Sequence, residues 1–343
     1  MNDRVVALDL LRGVAACSVA IPHFFIYKGN GGVFTEGISI AAVEVFFVLS
    51  GFVLGPQILL ILDGTVKRAL LIFLVRRWMR TIPAYIIALM LVSAIFGELG
   101  SADFWRYSLY IQNLFRQHNK LDYYSVAWSL SVEEWFYVIF PLFIITSSRL
   151  WAQRSVAYYA AFVVLFIALI TVARTGFGGE TSWGSTVRRV VVFRLDSVAY
   201  GFLLYLATQY LPAPRRLWWQ MTGLFFCTTF IVILLSLVES TSVARVIYPF
   251  IAAGFGAFSI LVFLHLDRYC QGPIMRRVSD VSGKLSYSIY LFHLICIYAV
   301  KAALGNSHLF LQFGAYFIGT ALIATMSSYL FEQPILLMRP KYR

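Results

Sequence analysis

Residues 6–27 read VALDLLRGVAACSVAIPHFFIY. About 20 apolar residues span the hydrocarbon of a bilayer, and this run reaches that length with only Asp9, Arg12 and His23 as titratable interruptions. Nine similar runs follow near 38–62, 81–97, 128–146, 156–174, 190–208, 217–238, 246–266, 285–304 and 309–330. They are long and unbroken, which excludes a transmembrane β-barrel with its short alternating strands. The chain as a whole agrees. Its 343 residues are 60% hydrophobic and 13% charged, with a mean hydropathy of +0.78, whereas roughly a quarter of the residues of a soluble domain are charged. A soluble enzyme, a disordered chain and a disulfide-stapled secreted module are excluded. The fold class read from the sequence is all-α: a polytopic integral membrane helix bundle of about ten transmembrane helices. The segment 104–115 is apolar but short, and is read as an interfacial or re-entrant helix.

The net charge of +12 needs no nucleic acid, because Lys and Arg collect in cytoplasmic loops. With the N-terminus inside, the inner segments hold seventeen Lys and Arg and the outer segments nine. Both termini are therefore expected in the cytoplasm. Cys17, Cys227, Cys270 and Cys296 form no ligand cluster, so free thiols and no metal site are expected. Val14-Ala15-Ala16-Cys17 resembles a lipoprotein cleavage site, but Asp9 and Arg12 interrupt the apolar stretch a signal peptide needs. There is no Pro-rich linker, low-complexity tract or internal repeat. One membrane domain over residues 1–343, with a core of about 4–335 and no appended soluble domain, is expected.

A charge at the centre of a span costs about 3 kcal/mol on insertion scales. Residues that accept this cost usually face a cavity. Here they are Asp9, Arg12, His23, Glu44, Glu133, Glu134, Arg194, Asp196, His293 and Glu332. Asp9 and Arg12, three apart, share a helix face and can pair. Arg12 and His23, eleven apart, also share that face, separated by roughly 16 Å along the axis. One face thus carries a fixed cation and a titratable base at two depths, unless His23 is simply an interfacial histidine at a helix end. Glu44 requires an arginine partner or a water-filled cavity, while Ser50-Gly51 permits close helix packing. Arg77 and Arg80, at the cytoplasmic start of the third span, either bind phosphate through their guanidinium groups or snorkel to lipid headgroups. Glu133 and Glu134 point about 100° apart on a helix, so one of them faces the cavity. Arg194, Asp196, Tyr287, Tyr290 and His293 are candidates for the same polar core.

Several pieces together resemble the acyltransferase family 3 membrane proteins. They are Leu8-Asp9-Leu10-Leu11-Arg12-Gly13 running through an Arg-x10-His to His23, and Glu44-Val45-Phe46-Phe47-Val48-Leu49-Ser50-Gly51-Phe52. Further along come Arg77-x-x-Arg80, Trp128-Ser129-Leu130-Ser131-Val132-Glu133-Glu134, Ser286-Tyr287-Ser288-Ile289-Tyr290-Leu291-Phe292-His293 and Phe331-Glu332-Gln333-Pro334. They occur in the family's order and cover nearly the whole chain. The commonest family form has Asp where Glu44 stands.

The resemblance implies a membrane O-acyltransferase, usually an O-acetyltransferase. Its donor would be cytoplasmic acetyl-CoA or another acyl-CoA, with no permanently bound cofactor. Its acceptor would be a hydroxyl outside the cytoplasm, on a cell-surface polysaccharide, a lipid-linked precursor or a small molecule. It implies that His23 is the catalytic histidine, that Arg12 belongs to its motif and that Arg77 and Arg80 serve the donor. The charge bias of the loops leads to the expectation of the plasma (inner) membrane of a bacterium, in contact with lipid. Imidazole titrates near neutral pH, which suits a general base for a hydroxyl; an acyl-histidine intermediate is compatible with the same residue. Arg12 lies too far along the axis to touch His23 and is assigned to shaping the pocket or holding Asp9. The rival expectation is a proton-coupled transporter, since buried carboxylates, arginines and histidines also build proton relays. The oligomeric state is not legible.

Overall fold

In lipid, a spanning segment satisfies its N–H and C=O groups within itself or in a closed barrel. The computed structural model describes residues 5–64, 66–117, 123–149, 155–177, 183–210, 217–237, 242–305 and 307–342, and among these it contains helices and turns but no strand. The helices are α1 (Val6–Phe25), α2 (Val33–Asp63), α3 (Ala69–Phe96), α4 (Ala102–Ser108), α5 (Ala127–Arg149), α6 (Val156–Phe177), α7 (Leu195–Tyr210), α8 (Leu217–Leu237), α9 (Ser242–Leu266), α10 (Pro273–Leu304), α11 (Leu309–Ser327) and α12 (Gln333–Leu337). Among the described residues, nine helical segments are long and apolar enough to cross a membrane. The tenth expected run corresponds to α8, an apolar helix of 21 residues. Of the charges weighed for orientation, Arg4, Lys120, Arg154, Arg215, Arg216 and Arg343 lie outside the described residues.

Two helices begin about three turns before their apolar runs. α3 starts at Ala69, so Arg76, Arg77 and Arg80 stand on the helix instead of in the loop before it. Hydropathy stops at a charge; the backbone ladder continues wherever the charges find partners. Arg76 Nη1 donates to Pro340 O at 2.7 Å, and Arg77 and Arg80 open into a cavity. α10 starts at Pro273, which suits the first helical turn because its missing N–H has no helical acceptor there. Its polar first turns carry the Lys284–Asp280 pair at 2.5 Å.

The segment 104–115 is not a span. α4 is a seven-residue helix capped by Ser101 Oγ, which accepts from Phe104 N at 3.0 Å. The chain after it folds back onto the bundle. Gln112 Nε2 donates to Ser131 Oγ at 2.7 Å, and Asn113 Nδ2 donates to Arg189 O at 2.6 Å.

α1 packs along α10, and α2 along α7. The α2–α7 crossing is a mutual glycine contact. A Cβ on Gly51 would lie 1.9 Å from Val198 O, and a Cβ on Gly201 would lie 1.9 Å from Val48 O. Only backbone fits there, as at close helix crossings in membranes generally. The start of α1, the end of α9 and the C-terminal segment gather at one end of the bundle, where Ala7 N donates to Asp267 Oδ1 at 2.9 Å. That end is called the terminal end below. The α1–α2 turn and the segment 123–126 before α5 meet at the opposite end, where Tyr27 OH and Ser125 Oγ lie 3.1 Å apart. That end is called the loop end.

Candidate active site

A five-residue π turn, Ile26–Asn30, links α1 to α2, with Gly29 at φ +80° supplying the reversal. The two helices therefore run antiparallel, and His23 of α1 meets Ser39 of α2 near the loop end. α10 brings His293 alongside. His293 Nδ1 faces the carbonyl oxygens of Ile289 at 3.1 Å and Tyr290 at 2.9 Å. Carbonyls only accept, so this nitrogen carries the proton. In the neutral ring Nε2 then holds a lone pair, and it accepts from His23 Nδ1–H at 2.8 Å. His23 Nε2 is left unprotonated and accepts from the Ser39 hydroxyl at 2.9 Å. The chain of hydrogen bonds thus sets one tautomer for each ring, and His23 lines a cavity at the loop end. Glu36, Ser39, Arg188 and Arg189 share its walls. Arg188 lies 5.3 Å from the Trp128 ring centroid. Burial, and then the neighbouring Arg189, lower its pKa to about 10, so it stays charged at neutral pH.

A second cavity opens on the terminal-end side. Arg12, Arg77 and Arg80 line it together with Ser50, Glu133, Tyr137 and Tyr287. Arg12 Nη1 donates to Asp9 Oδ1 at 2.9 Å. Among the described residues, Arg77 and Arg80 have no carboxylate at ion-pair distance. Glu133 Oε2 accepts from Tyr137 OH at 2.8 Å, which uses the phenol proton, so Ser50 Oγ, 3.0 Å from that phenol oxygen, is the donor to it. The cavity is cationic, with three guanidinium groups against one lining carboxylate.

The two cavities stand back to back, and Val43 and Tyr290 line both. Tyr290 is held there by Ser129 Oγ at 2.6 Å and by Val126 O at 3.2 Å. Phe46 packs edge-on against its ring at 5.8 Å.

The expected site residues thus divide into groups. His23 and His293 meet directly. Arg12 joins Arg77 and Arg80 in the cationic cavity, apart from His23, and Ser50 and Glu133 line the same cavity. Glu134 is buried outside it. Glu44 and Arg194 form a fully buried pair, with Arg194 Nη2 at 2.5 and 2.6 Å from the two carboxylate oxygens. Asp196 pairs with Arg174 at 2.9 Å. These four residues line neither cavity; they clamp α2, α6 and α7 together. Glu332, in the π turn after α11, accepts from Ser288 Oγ of α10. Asp9, paired with Arg12, lines a separate depression at the terminal end. Sequence reasoning missed Ser39, Arg174, Arg188 and Arg189. Arg174, Arg188 and Arg189 read as loop charges. Ser39 had one usable signal, since an α1–α2 hairpin with a short turn must bring its early residues opposite His23.

A family model described as an acyltransferase domain, Acyl_transf_3, matches residues 5–330. The chain belongs to this family. It is the family that the motifs from Leu8 to Pro334 resemble. A Staphylococcus aureus (strain COL) protein, SACOL0978, named as a candidate O-acetyltransferase, is 26% identical over 318 residues, covering 84% of this chain and 50% of its own length. YrhL of Bacillus subtilis (strain 168), named as a candidate peptidoglycan O-acetyltransferase, is 25% identical, covering 96% of this chain and 54% of its own. O-acetyltransferase OatA of Staphylococcus aureus (strain NCTC 8325 / PS 47) is 22% identical, covering 96% and 56%. The chain spans about half the length of these curated relatives. No solved structure gives a significant match.

Proposed function

We propose that this member of the acyltransferase family is a membrane O-acetyltransferase. It takes acetyl from cytoplasmic acetyl-CoA and delivers it to a hydroxyl outside the cytoplasm, on a cell-surface polysaccharide or its lipid-linked precursor. The membrane is the inner membrane of a bacterium, with both termini in the cytoplasm. One observation carries this reading. A cationic cavity on the terminal-end side and a loop-end cavity lined by His23 and Ser39, whose hydroxyl rests on His23 Nε2, share one wall, Val43 and Tyr290. Phosphate groups of a CoA ester are met by paired guanidinium groups, and among the described residues Arg77 and Arg80 have theirs uncommitted to carboxylates. The pantetheine arm then points along the bundle axis toward Tyr290.

His23 Nε2 accepts the proton of a hydroxyl, and the oxygen attacks the thioester carbonyl carbon. The tetrahedral intermediate collapses with loss of the CoA thiolate, which takes the proton. His293 holds the required tautomer of His23, as the third member of a nucleophile–base–orienter set does. Arg188 and Arg189 contribute positive charge to the cavity in which negative charge develops on oxygen.

The test uses inverted membrane vesicles, supplied with isotope-labelled acetyl-CoA on the exposed cytoplasmic side. Label is followed into glycan, lipid and small-molecule fractions for wild type and His23→Ala. Label that depends on His23 supports the transferase, and the fraction that holds it names the acceptor class. Equal labelling in His23→Ala removes His23 as the base. Uptake of a solute driven by a proton gradient, without label transfer, would replace the reading with transport.

A further inference from the structure

We propose that Ser39 carries the acyl group covalently, as a serine ester formed and resolved with His23 as its base. This rests on the acetyltransferase reading above. The first observation is occupancy. A neutral imidazole nitrogen has a single in-plane lone pair, and that of His23 Nε2 is already taken by the Ser39 hydroxyl at 2.9 Å. The hydroxyl that this base activates first is therefore the protein's own. The second is the order Ser39–His23–His293, with both rings set in one tautomer by the carbonyls of Ile289 and Tyr290. Nucleophile, base and orienter stand within hydrogen-bond reach of one another, the arrangement that activates serine elsewhere. The third is placement. Ser39, Val43, Phe46 and Ser50 are spaced by four, three and four residues, which puts them on one face of α2. Val43, Phe46 and Ser50 line the cationic cavity, while Ser39 and Val43 line the other. Ser39 is one turn, about 6 Å, beyond the shared wall at Val43, so an acyl group arriving at that wall meets Ser39 before any acceptor.

In the first half-reaction the Ser39 proton passes to His23 Nε2 and Oγ bonds the acyl carbon. The carbon–sulfur bond breaks, and the thiolate leaves with its electron pair and takes the proton from His23. In the second, an acceptor hydroxyl gives its proton to His23 Nε2 and its oxygen bonds the acyl carbon. The serine ester bond breaks, and Oγ recovers the proton. The sum is acyl-CoA plus alcohol giving CoA plus ester, with no further reactant. CoA leaves before the acceptor reacts, so the two substrates never need to occupy both cavities together.

The experiment is acceptor-independent isotope exchange, with purified protein in liposomes, unlabelled acetyl-CoA and labelled CoA. Wild type is expected to exchange label into acetyl-CoA, and labelled acetyl-CoA is expected to leave acetyl on the peptide containing Ser39. Ser39→Ala is expected to lose exchange by at least about 100-fold, the scale of a lost activated nucleophile or base. Ser39→Cys keeps a nucleophile, guards against a folding defect, and is expected to hold acetyl as a thioester cleaved by neutral hydroxylamine. Exchange that survives in Ser39→Ala, with acetyl on His23, overturns the proposal. So does His23-dependent transfer to membrane fractions by wild type that shows no exchange; in both cases the acetyltransferase reading stands. Neither exchange nor transfer by wild type overturns that reading, and this proposal with it.

Discussion

Replacing His293 tests the relay proposed for the site. His293 Nε2 is the acceptor for His23 Nδ1–H among the described residues, and His293 is fully buried. In His293→Ala, His23 keeps its place on α1 but its Nδ1 proton faces no acceptor. Leaving a buried donor unmade costs about 1–3 kcal/mol. At about 1.4 kcal/mol per factor of ten, the tautomer balance of His23 shifts by roughly 5- to 140-fold toward Nε2–H, where no lone pair faces Ser39 or the cavity. The initial rate of labelled acetyl transfer, per amount of inserted protein, is expected to fall by about that factor. His293 does not line the cationic cavity, so the fall belongs in kcat, with the KM for acetyl-CoA unchanged. His293→Gln offers a carbonyl oxygen to the same proton and is expected to recover part of the rate. A full rate in His293→Ala, or a loss confined to KM, would refute the reasoning.

Arg77→Ala and Arg80→Ala are each expected to raise the KM for acetyl-CoA about ten-fold, the scale of one charge-assisted hydrogen bond, with kcat little changed; an unaltered KM would mean that these arginines only snorkel to lipid. Glu44→Ala strands the buried Arg194 guanidinium and is expected to cost about 3–5 kcal/mol, read as an early unfolding transition in detergent; wild-type stability would show that the pair contributes little to the fold. Gly51→Leu drives a side chain into Val198 O and is expected to destabilise by about 1–3 kcal/mol or more, read as loss of folded protein after membrane extraction. A membrane-impermeant thiol reagent is expected to label Lys28→Cys in intact cells; labelling only in inverted vesicles would reverse the proposed orientation.

Length and hydropathy are one-dimensional, and so is the requirement that a backbone in lipid bond to itself. The runs that begin at residues 6 and 38 therefore determined an all-α membrane bundle before any packing was known. The motifs from Leu8 to Pro334 likewise identified the acyltransferase family. Helical spacing also placed Asp9 beside Arg12, and the pair forms at 2.9 Å. Hydropathy failed at Arg76–Arg80 and at residues 273–284, because a window ends at a charge while a helix continues if the charge finds a partner or a cavity. Spacing gives the face a residue occupies but not the helix opposite it. His23 meets His293 across 270 residues, and Arg194 meets Glu44 across 150. Such pairings depend on how closely helices approach, as the backbone contact of Gly51 with Gly201's helix shows. Tertiary packing thus set Arg12, already out of reach of His23 by helical spacing, in one cavity with Arg77 and Arg80. It gave Glu44 the arginine partner it required, put Arg194 and Asp196 in a clamp between helices instead of a cavity wall, and set an unremarked serine beside His23.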